Sequence, residues 1–154
     1  MVVRQKNAEL AKLAYGPNYE QVMEAPVTIA LFTDTDLQKR ARKIARVGGV
    51  KNFTDEQLQY FMQSLPAEFA RYDAQQTSDY LALNAGLVAM NLVLALTDQG
   101  IGTNIILGFD KSKINEVLDI EERFRPEVLI TVGYAAEKVE PSYRLPVDEI
   151  IEKR

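Results

Sequence analysis

The sequence contains neither cysteine nor histidine. Without cysteine there is no disulfide framework, no thiol nucleophile and no cysteine-ligated metal site. Without histidine there is no Ser-His triad, none of the usual zinc constellations and not the commonest general base. An enzyme of this composition would depend on a bound cofactor for the difficult step, while the protein binds, orients and tunes that cofactor.

The chain also lacks an excess of positive charge and a targeting signal. Its net charge of −4 gives no argument for nucleic-acid binding. Residues 1–6 lack the long apolar core of a signal peptide, so we expect a cytoplasmic protein. With 154 residues, 47% of them hydrophobic and 26% charged, and no internal repeat, the sequence predicts a single globular domain over 1–154.

The longest apolar run, the 17 residues Tyr80–Leu96, predicts a buried helix. Ser78 or Asp79 could cap its first turn, and Gly100 could end it in the left-handed conformation. A membrane span needs about 20 predominantly apolar residues. Because this run is shorter and contains two asparagines, we expect a soluble core helix and no membrane segment.

Small side chains cluster along this helix, at Ala82, Ala85, Gly86 and Ala89. They would let another backbone approach closely, and a helix that is apolar on nearly every side needs protein around it. In so short a chain, a second subunit is a natural source of that protein. The sequence therefore predicts a homodimer.

Four runs rich in β-branched residues predict strands, at 1–5, 26–33, 103–107 and 127–134. Helical spacing and caps predict helices at 7–14, 18–24, 37–47, 55 to about 66, 78–99 and 111–118, the last capped by Asp110. Residues 137–154 contain two prolines and too few consecutive apolar residues to pack alone, which predicts an extended C-terminal arm. The pattern fits an α/β or an α+β domain around a small sheet.

Two further clusters each allow two interpretations. Six basic residues and no acidic one lie from Lys39 to Lys51, as in a solvated helix face or in a phosphate- or nucleic-acid-binding face. The amphipathic pattern favours the solvated face. Aromatic residues follow at Tyr60, Phe61 and Phe69. They are typical of a core and could also form a mobile lid over a planar ligand.

Four motifs in order together resemble the nitroreductase family of FMN-dependent NAD(P)H oxidoreductases. They are Asn84–Ala95, Gly100–Asn104, Gly108–Asp110 and Ser142–Pro146, with Glu24–Ile29 before the second strand. The resemblance implies a nitroreductase-like α+β fold and a homodimer with FMN at the subunit interface. It also implies that the arm 137–154 wraps the partner and adds a strand to the partner's sheet.

The same resemblance implies a set of flavin-binding residues: Ile105, Ile106, Leu107, Gly108, Gln21, Ser142 and Arg144. The segment Ile105–Gly108 matches the part that runs beside the isoalloxazine, with two backbone amides near its reactive nitrogen. Arg144 matches an arginine that pairs with the FMN phosphate. Gln21 matches a side chain that reaches the pyrimidine edge. Ser142 stands where some members have a lysine, which would remove one phosphate contact.

The implied activity is a ping-pong reaction, in which NAD(P)H reduces the flavin and a nitroaromatic, quinone or similar small planar acceptor takes the electrons. The flavin carries the chemistry, so no catalytic side chain is expected. Family members usually begin with an Arg-Arg-Ser-x-Arg cluster and a segment with Asn and Gln-Pro-Trp, and neither motif occurs in this sequence. The alternative is therefore a flavin-free or weakly flavin-binding structural or interaction protein.

Overall fold

The structure, a computed structural model, describes residues 2–3, 6–48, 53–136 and 143–152. These ranges form an α+β arrangement, as predicted. The helices are α1 (Asn7–Ala11), α2 (Asn18–Glu24), α3 (Leu37–Gly48), α4 (Asp55–Phe69), α5 (Ala74–Asp98), α6 (Ile114–Leu118) and α7 (Val147–Ile150). The strands are β1 (Val2–Val3), β2 (Val27–Asp34), β3 (Gly102–Ile106) and β4 (Phe124–Gly133).

The four strands form one antiparallel sheet in the order β1-β2-β4-β3. At one end of the sheet, Asp34 of β2 lies opposite Phe124 of β4. At the other end, Gly102 of β3 lies opposite Gly133 of β4. In the part of the chain that the structure describes, no strand pairs with the far side of β3, so that edge of the sheet is open.

β4 begins at Phe124, earlier than predicted, and carries Pro126 inside it. Proline has no amide hydrogen and usually interrupts a central strand. Here the pairing register shifts between Leu31 and Phe32, and Phe32 lies opposite Pro126. The shift accommodates the missing donor, so the strand can start before the proline.

Helices cover both faces of the sheet. Successive side chains of β4 point to opposite faces, so β4 contacts both helix layers. On one face, Leu129 packs among buried residues of α1, α2 and α6, namely Leu10, Ala11, Val22, Ile114 and Leu118. On the other face, Val128 and Ile130 pack against Ala89 of α5. The sheet therefore separates a layer of short helices from the single long helix α5.

α5 starts at Ala74, one turn before the predicted cap at 78–79, so that prediction was wrong. The Asp73 carboxylate accepts from the Gln76 amide at 2.7 Å, and the Gln76 side chain accepts from the Asp73 amide at 3.0 Å. Apolar periodicity missed this start because the first turn is polar. Gly100 follows the helix with a φ of 73°, as predicted.

The four small residues of α5 divide between two faces of the helix. Ala85 and Ala89 are buried and let α5 approach β2 and β3 of its own sheet. Ala82 and Gly86 are exposed, and a Cβ added at Gly86 would meet no neighbouring atom within 4 Å. Of these four small residues, therefore, only Ala82 and Gly86 could contact another subunit.

Other helix boundaries also differ from the prediction, since α1 ends at Ala11 and not at residue 14. α4 continues through Pro66 to Phe69. α6 begins only at Ile114, and residues 111–113 form a turn. Asp110 accepts from the Ser112 hydroxyl at 2.6 Å and from the Ser112 amide at 3.0 Å instead of capping the helix. These two bonds hold the pKa of the Asp110 carboxyl below its usual value.

Candidate functional site

The end of β3 and the turn after it carry the segment that is predicted to bind flavin. Ile106 is only 1% exposed and belongs to the core, whereas Ile105 and Leu107 are 42% and 68% exposed. This alternation follows from the opposite directions of successive side chains in a strand. A ligand at this edge would meet the backbone and the side chains of Ile105 and Leu107, but not the side chain of Ile106.

The linker between α1 and α2 fixes the turn at Gly108. The Gly108 carbonyl accepts from the Tyr15 amide at 2.9 Å and from Asn18 Nδ2 at 3.2 Å. Two residues later, the Asp110 amide donates to the Leu13 carbonyl at 2.8 Å. Among the described hydrogen bonds the Gly108 amide donates to no acceptor, so it is available to a ligand.

Replacing Gly108 with alanine is expected to lower the unfolding free energy by about 1 kcal/mol, because it would disrupt the Asn18–Gly108 hydrogen bond. A Cβ at Gly108 would lie 2.8 Å from Asn18 Nδ2. In an Asn18→Ala background the added Cβ would meet only Tyr15 Cδ2 at 3.9 Å, so the cost should be clearly smaller. Denaturation of the wild type, both single variants and the double variant measures this coupling. Equal costs in both backgrounds would contradict it.

A polar pair lies beside the same segment. Asn104, one residue before Ile105, donates its side-chain amide to Gln21 Oε1 of α2. The pair lines an open cavity of about 300 Å³, which also includes Glu24 and Tyr134. Within the described hydrogen bonds, the Asn104 side-chain oxygen and the Gln21 amide hydrogens have no partner. The pair can therefore offer both a donor and an acceptor to a ligand.

The three aromatic residues considered as a lid fall into two groups. Tyr60 is 67% exposed, with its ring centroid 5.8 Å from that of Phe61. Phe69 packs instead on Tyr72 and Tyr80, at centroid distances of 5.4 and 5.1 Å. Since Tyr80 belongs to α5, Phe69 joins α4 to α5, whereas Tyr60 is open to solvent.

Alanine substitutions at Tyr60 and Phe69 are expected to show which residue belongs to a lid and which to the core. Tyr60→Ala should change the KM for a bulky quinone but shift the unfolding free energy by less than about 0.5 kcal/mol, because the side chain is exposed. Phe69→Ala should cost roughly 2–3 kcal/mol, because it removes two ring contacts. Steady-state kinetics and denaturation check both. A large loss of stability at Tyr60 with unchanged kinetics would identify a packing residue.

The C-terminal residues 143–152 leave apolar side chains exposed, at Tyr143, Leu145, Val147, Ile150 and Ile151. Arg144 is also exposed, and its Nη1 donates to the Tyr143 carbonyl at 2.8 Å. Among the described residues, Arg144 has no other hydrogen bond or ion pair. Ser142 lies outside the described residues, as do 137–141. Within the described part of the chain, Arg144 therefore makes no hydrogen bond to Gly108.

Sequence reasoning missed a partly buried ionic network that joins α5 to the sheet. Arg125 donates from Nε to Glu127 at 2.7 Å, and from Nη1 and Nη2 to the Ser78 hydroxyl and carbonyl at 2.7 and 3.0 Å. The Thr33 hydroxyl donates to the same Glu127 oxygen at 2.6 Å. Glu127 is only 8% exposed, so the pairing satisfies a carboxylate that would otherwise be costly to bury. A glutamate inside an apolar strand was the one available signal.

α5 leaves an apolar face open to solvent, made of Leu83, Leu87, Val88, Met90 and Leu94. By length and composition alone the helix could cross a membrane, with a mean hydropathy of 1.7 in its most apolar window. Its other face packs on the sheet, which makes α5 one layer of this fold. A contiguous apolar patch on a folded domain is typical of a surface that another protein covers.

The family model described as Nitroreductase family matches residues 1–134. The chain belongs to the nitroreductase family. A Streptococcus pyogenes (serotype M6) protein, provisionally named NAD(P)H nitroreductase Spy0809, is 61% identical over 100% of this chain and 76% of that relative. The solved nitroreductase family protein from Streptococcus pneumoniae TIGR4 is 84% identical with a TM-score of 0.94, over 100% of this chain and 77% of that one.

A third nitroreductase comparison concerns a ligand. The solved protein from Exiguobacterium sibiricum 255-15, described as a nitroreductase in complex with FMN, is 28% identical with a TM-score of 0.87. The match covers 100% of this chain and 75% of that protein. These similarities confirm the nitroreductase-like fold that the four motifs predict.

The nitroreductase fold brings the predicted site residues together only in part. Ile105–Gly108 and Gln21 lie on neighbouring elements, whereas Arg144 makes no hydrogen bond to them among the described residues. Three residues that sequence reasoning missed position the segment: Tyr15, Asn18 and Asn104. Over the described ranges, no group of three or more acidic side chains is placed to hold a metal ion.

Proposed function

We propose that this nitroreductase-family chain is an FMN-dependent NAD(P)H oxidoreductase. The observation that carries the proposal is the open sheet edge, where the unpaired Gly108 amide lies next to the exposed side chains of Ile105 and Leu107. An apolar surface with a few directed polar groups suits a planar ring that carries hydrogen-bond acceptors. The FMN complex of the E. sibiricum relative and the NAD(P)H nitroreductase name of Spy0809 support the same cofactor and electron donor.

The residues at this edge fit FMN in their chemistry. FMN, when bound, supplies the hydride and electron transfer that no side chain here provides. The Gly108 amide would donate one hydrogen bond to the ring, and the Gln21–Asn104 pair would serve its pyrimidine edge. Ile105 and Leu107 would keep water from the ring. Arg144 would pair with the phosphate through its forked donors.

The proposed reaction is ping-pong, because donor and acceptor would use the same open surface in turn. NAD(P)H would leave before a nitroaromatic, quinone or similar small planar acceptor enters. The surface at Ile105 and Leu107 offers apolar area and the backbone donor of Gly108, which suits flat molecules of this kind.

We further propose that the protein is a homodimer located in the cytoplasm. The open face of α5 would pack on a second copy, and the arm 137–154 would cross to the partner and add a strand to its sheet. This crossing would bring Arg144 of one protomer to the Gly108 turn of the other. The exposed apolar residues of the arm support such a contact, since Val147 and Ile150 are 65% and 63% exposed in the single chain.

Absorbance of the purified protein tests the function. Protein incubated with FMN and freed of excess should stay yellow, and anaerobic NADH or NADPH should bleach it. A quinone added after removal of the nucleotide should restore the colour, as a ping-pong reaction requires. A protein that stays colourless, or whose flavin neither nucleotide bleaches, would contradict the proposal and favour the flavin-free alternative.

A further inference from the structure

A second cleft lies at the end of the sheet where Asp34 pairs with Phe124, away from the cavity beside Gly102 and Gln21. Its volume is about 560 Å³. The lining residues are Asp34, Lys39, Arg40, Arg42, Lys43 and Arg123. Most of these belong to the first half of α3, and Arg123 precedes β4. Two separate elements therefore direct basic side chains into one concave surface.

Positive charge dominates this cleft, although the chain as a whole carries −4. The only carboxylate in its lining, Asp34, already forms an ion pair with Arg40, whose Nε lies 2.7 Å from Asp34 Oδ2. Lys39, Arg42 and Lys43 have no carboxylate within 4.0 Å among the described residues. In this acidic protein the cleft thus brings several cations without a carboxylate partner close together, which favours an anionic ligand.

Two further carboxylates, Asp36 and Glu121, lie close to the cleft but do not neutralise its positive charge. Asp36 accepts from the Lys39 amide at 3.0 Å, as a residue before a helix does. Glu121 lies 3.2 Å from Arg123 Nε but outside hydrogen-bond geometry, so that buried nitrogen has no hydrogen-bond partner. Because the Glu121 side chain is 73% exposed, water screens this ion pair.

The cleft is preformed by contacts that do not involve a ligand. The Thr35 amide and hydroxyl both donate to the Arg123 carbonyl, at 3.1 and 2.8 Å, and so join the end of β2 to the start of β4. The Arg123 guanidinium lies 4.5 Å from the centroid of the Phe124 ring. Since two of its arginines are already held in place, a ligand would lose less free energy in ordering them.

We propose that this cleft binds a small phosphate compound with at least two negative charges. Guanidinium groups match phosphate oxygens with paired donors, and lysines add charge around them. A solvated helix face would account for the charges of α3, but not for Arg123 converging on them from another element. Inorganic diphosphate and the phosphate groups of a nucleotide share the chemistry that this cleft recognises.

Titration calorimetry with inorganic diphosphate at low salt should show saturable binding to the wild-type protein, weakening as salt is added. Lys39→Gln/Lys43→Gln should bind about tenfold more weakly, which corresponds to about 1.4 kcal/mol. Arg123→Gln should show a comparable loss. The exposed pair Lys12→Gln/Arg71→Gln removes the same charge elsewhere on the surface and should leave the affinity unchanged.

Parallel titrations with ATP and NADPH distinguish the sources of phosphate. Tighter binding of either nucleotide than of diphosphate, lost in the same variants, supports the proposal and assigns a nucleotide. Equal affinities support it and assign the phosphate groups alone. Absence of saturable binding, or equal weakening by the Lys12/Arg71 control, would overturn it. So would tighter binding of a single-stranded RNA oligomer lost in the same variants, because it would identify a nucleic-acid face.

Discussion

Leu87→Glu/Leu94→Glu, on the open face of α5, is expected to give a folded monomer of 17.4 kDa, whereas the wild type, which we propose to be a dimer, should sediment at twice that mass. Both leucines are more than half exposed in the single chain, so the protomer should tolerate the change. In the dimer each carboxylate would lose water without gaining a partner, at a cost of several kcal/mol. Sedimentation velocity at micromolar concentration measures the mass. The monomeric variant should also bind FMN more weakly than the wild type, because the proposed site lies between two subunits.

Val47→Glu is the matched control, because Val47 is an equally exposed apolar residue on α3. It should leave the dimer intact. Ala85→Arg would be a poor choice, since Ala85 is 6% exposed against the sheet and an arginine there would disrupt the protomer itself. A folded wild-type monomer would contradict the proposed dimer, and a variant that remains dimeric would place the interface elsewhere.

Arg144→Ala is expected to weaken FMN binding about 10- to 150-fold, since a hydrogen bond between charged groups contributes roughly 1.5–3 kcal/mol. Arg144 is exposed and, among the described residues, donates only to the Tyr143 carbonyl, so removing it should leave the stability of the protomer unchanged. Fluorescence quenching during titration of FMN into apoprotein measures both affinities.

Two variants sharpen this test. Arg144→Lys keeps the charge but loses the paired donors, so it should bind FMN with intermediate affinity. Arg71→Ala removes an exposed arginine between α4 and α5 and should have no effect. Equal affinities of wild type and Arg144→Ala would show that Arg144 is only a surface charge of the arm.

Most of the fold could be predicted because its long elements carry strong local signals. β2 and the second half of β4 are rich in β-branched residues. α4 begins at residue 55 as predicted, because Thr54 and Gln57 form a capping box with bonds of 3.3 and 3.0 Å. The errors lie where the signal is weak or depends on distant residues. The sequence places the start of a strand just after Pro126, yet β4 begins two residues before that proline, because the pairing register skips Glu127 of β4 between Leu31 and Phe32.

The segment that forms the candidate site could be predicted from the sequence, but the long-range hydrogen bonds that hold it in place could not. The segment Ile105–Gly108 was found through motifs that resemble a family, whereas Asn18 and Gly108 meet across 90 positions of sequence. The contact between Arg125 and Ser78 spans 47 positions and has no local pattern. The predicted role of Arg144 cannot be compared with a single chain, since its proposed partner would lie on another subunit.

The pairing of β2 with β4 has a consequence for synthesis of the protein. β2 ends at Asp34 and its partner begins at Phe124, so the centre of the sheet cannot form until the ribosome has released the residues of β4. Until then the apolar length of α5 has no sheet to cover it. Such distant pairings slow folding, and the nascent chain should therefore need protection by chaperones until β4 emerges.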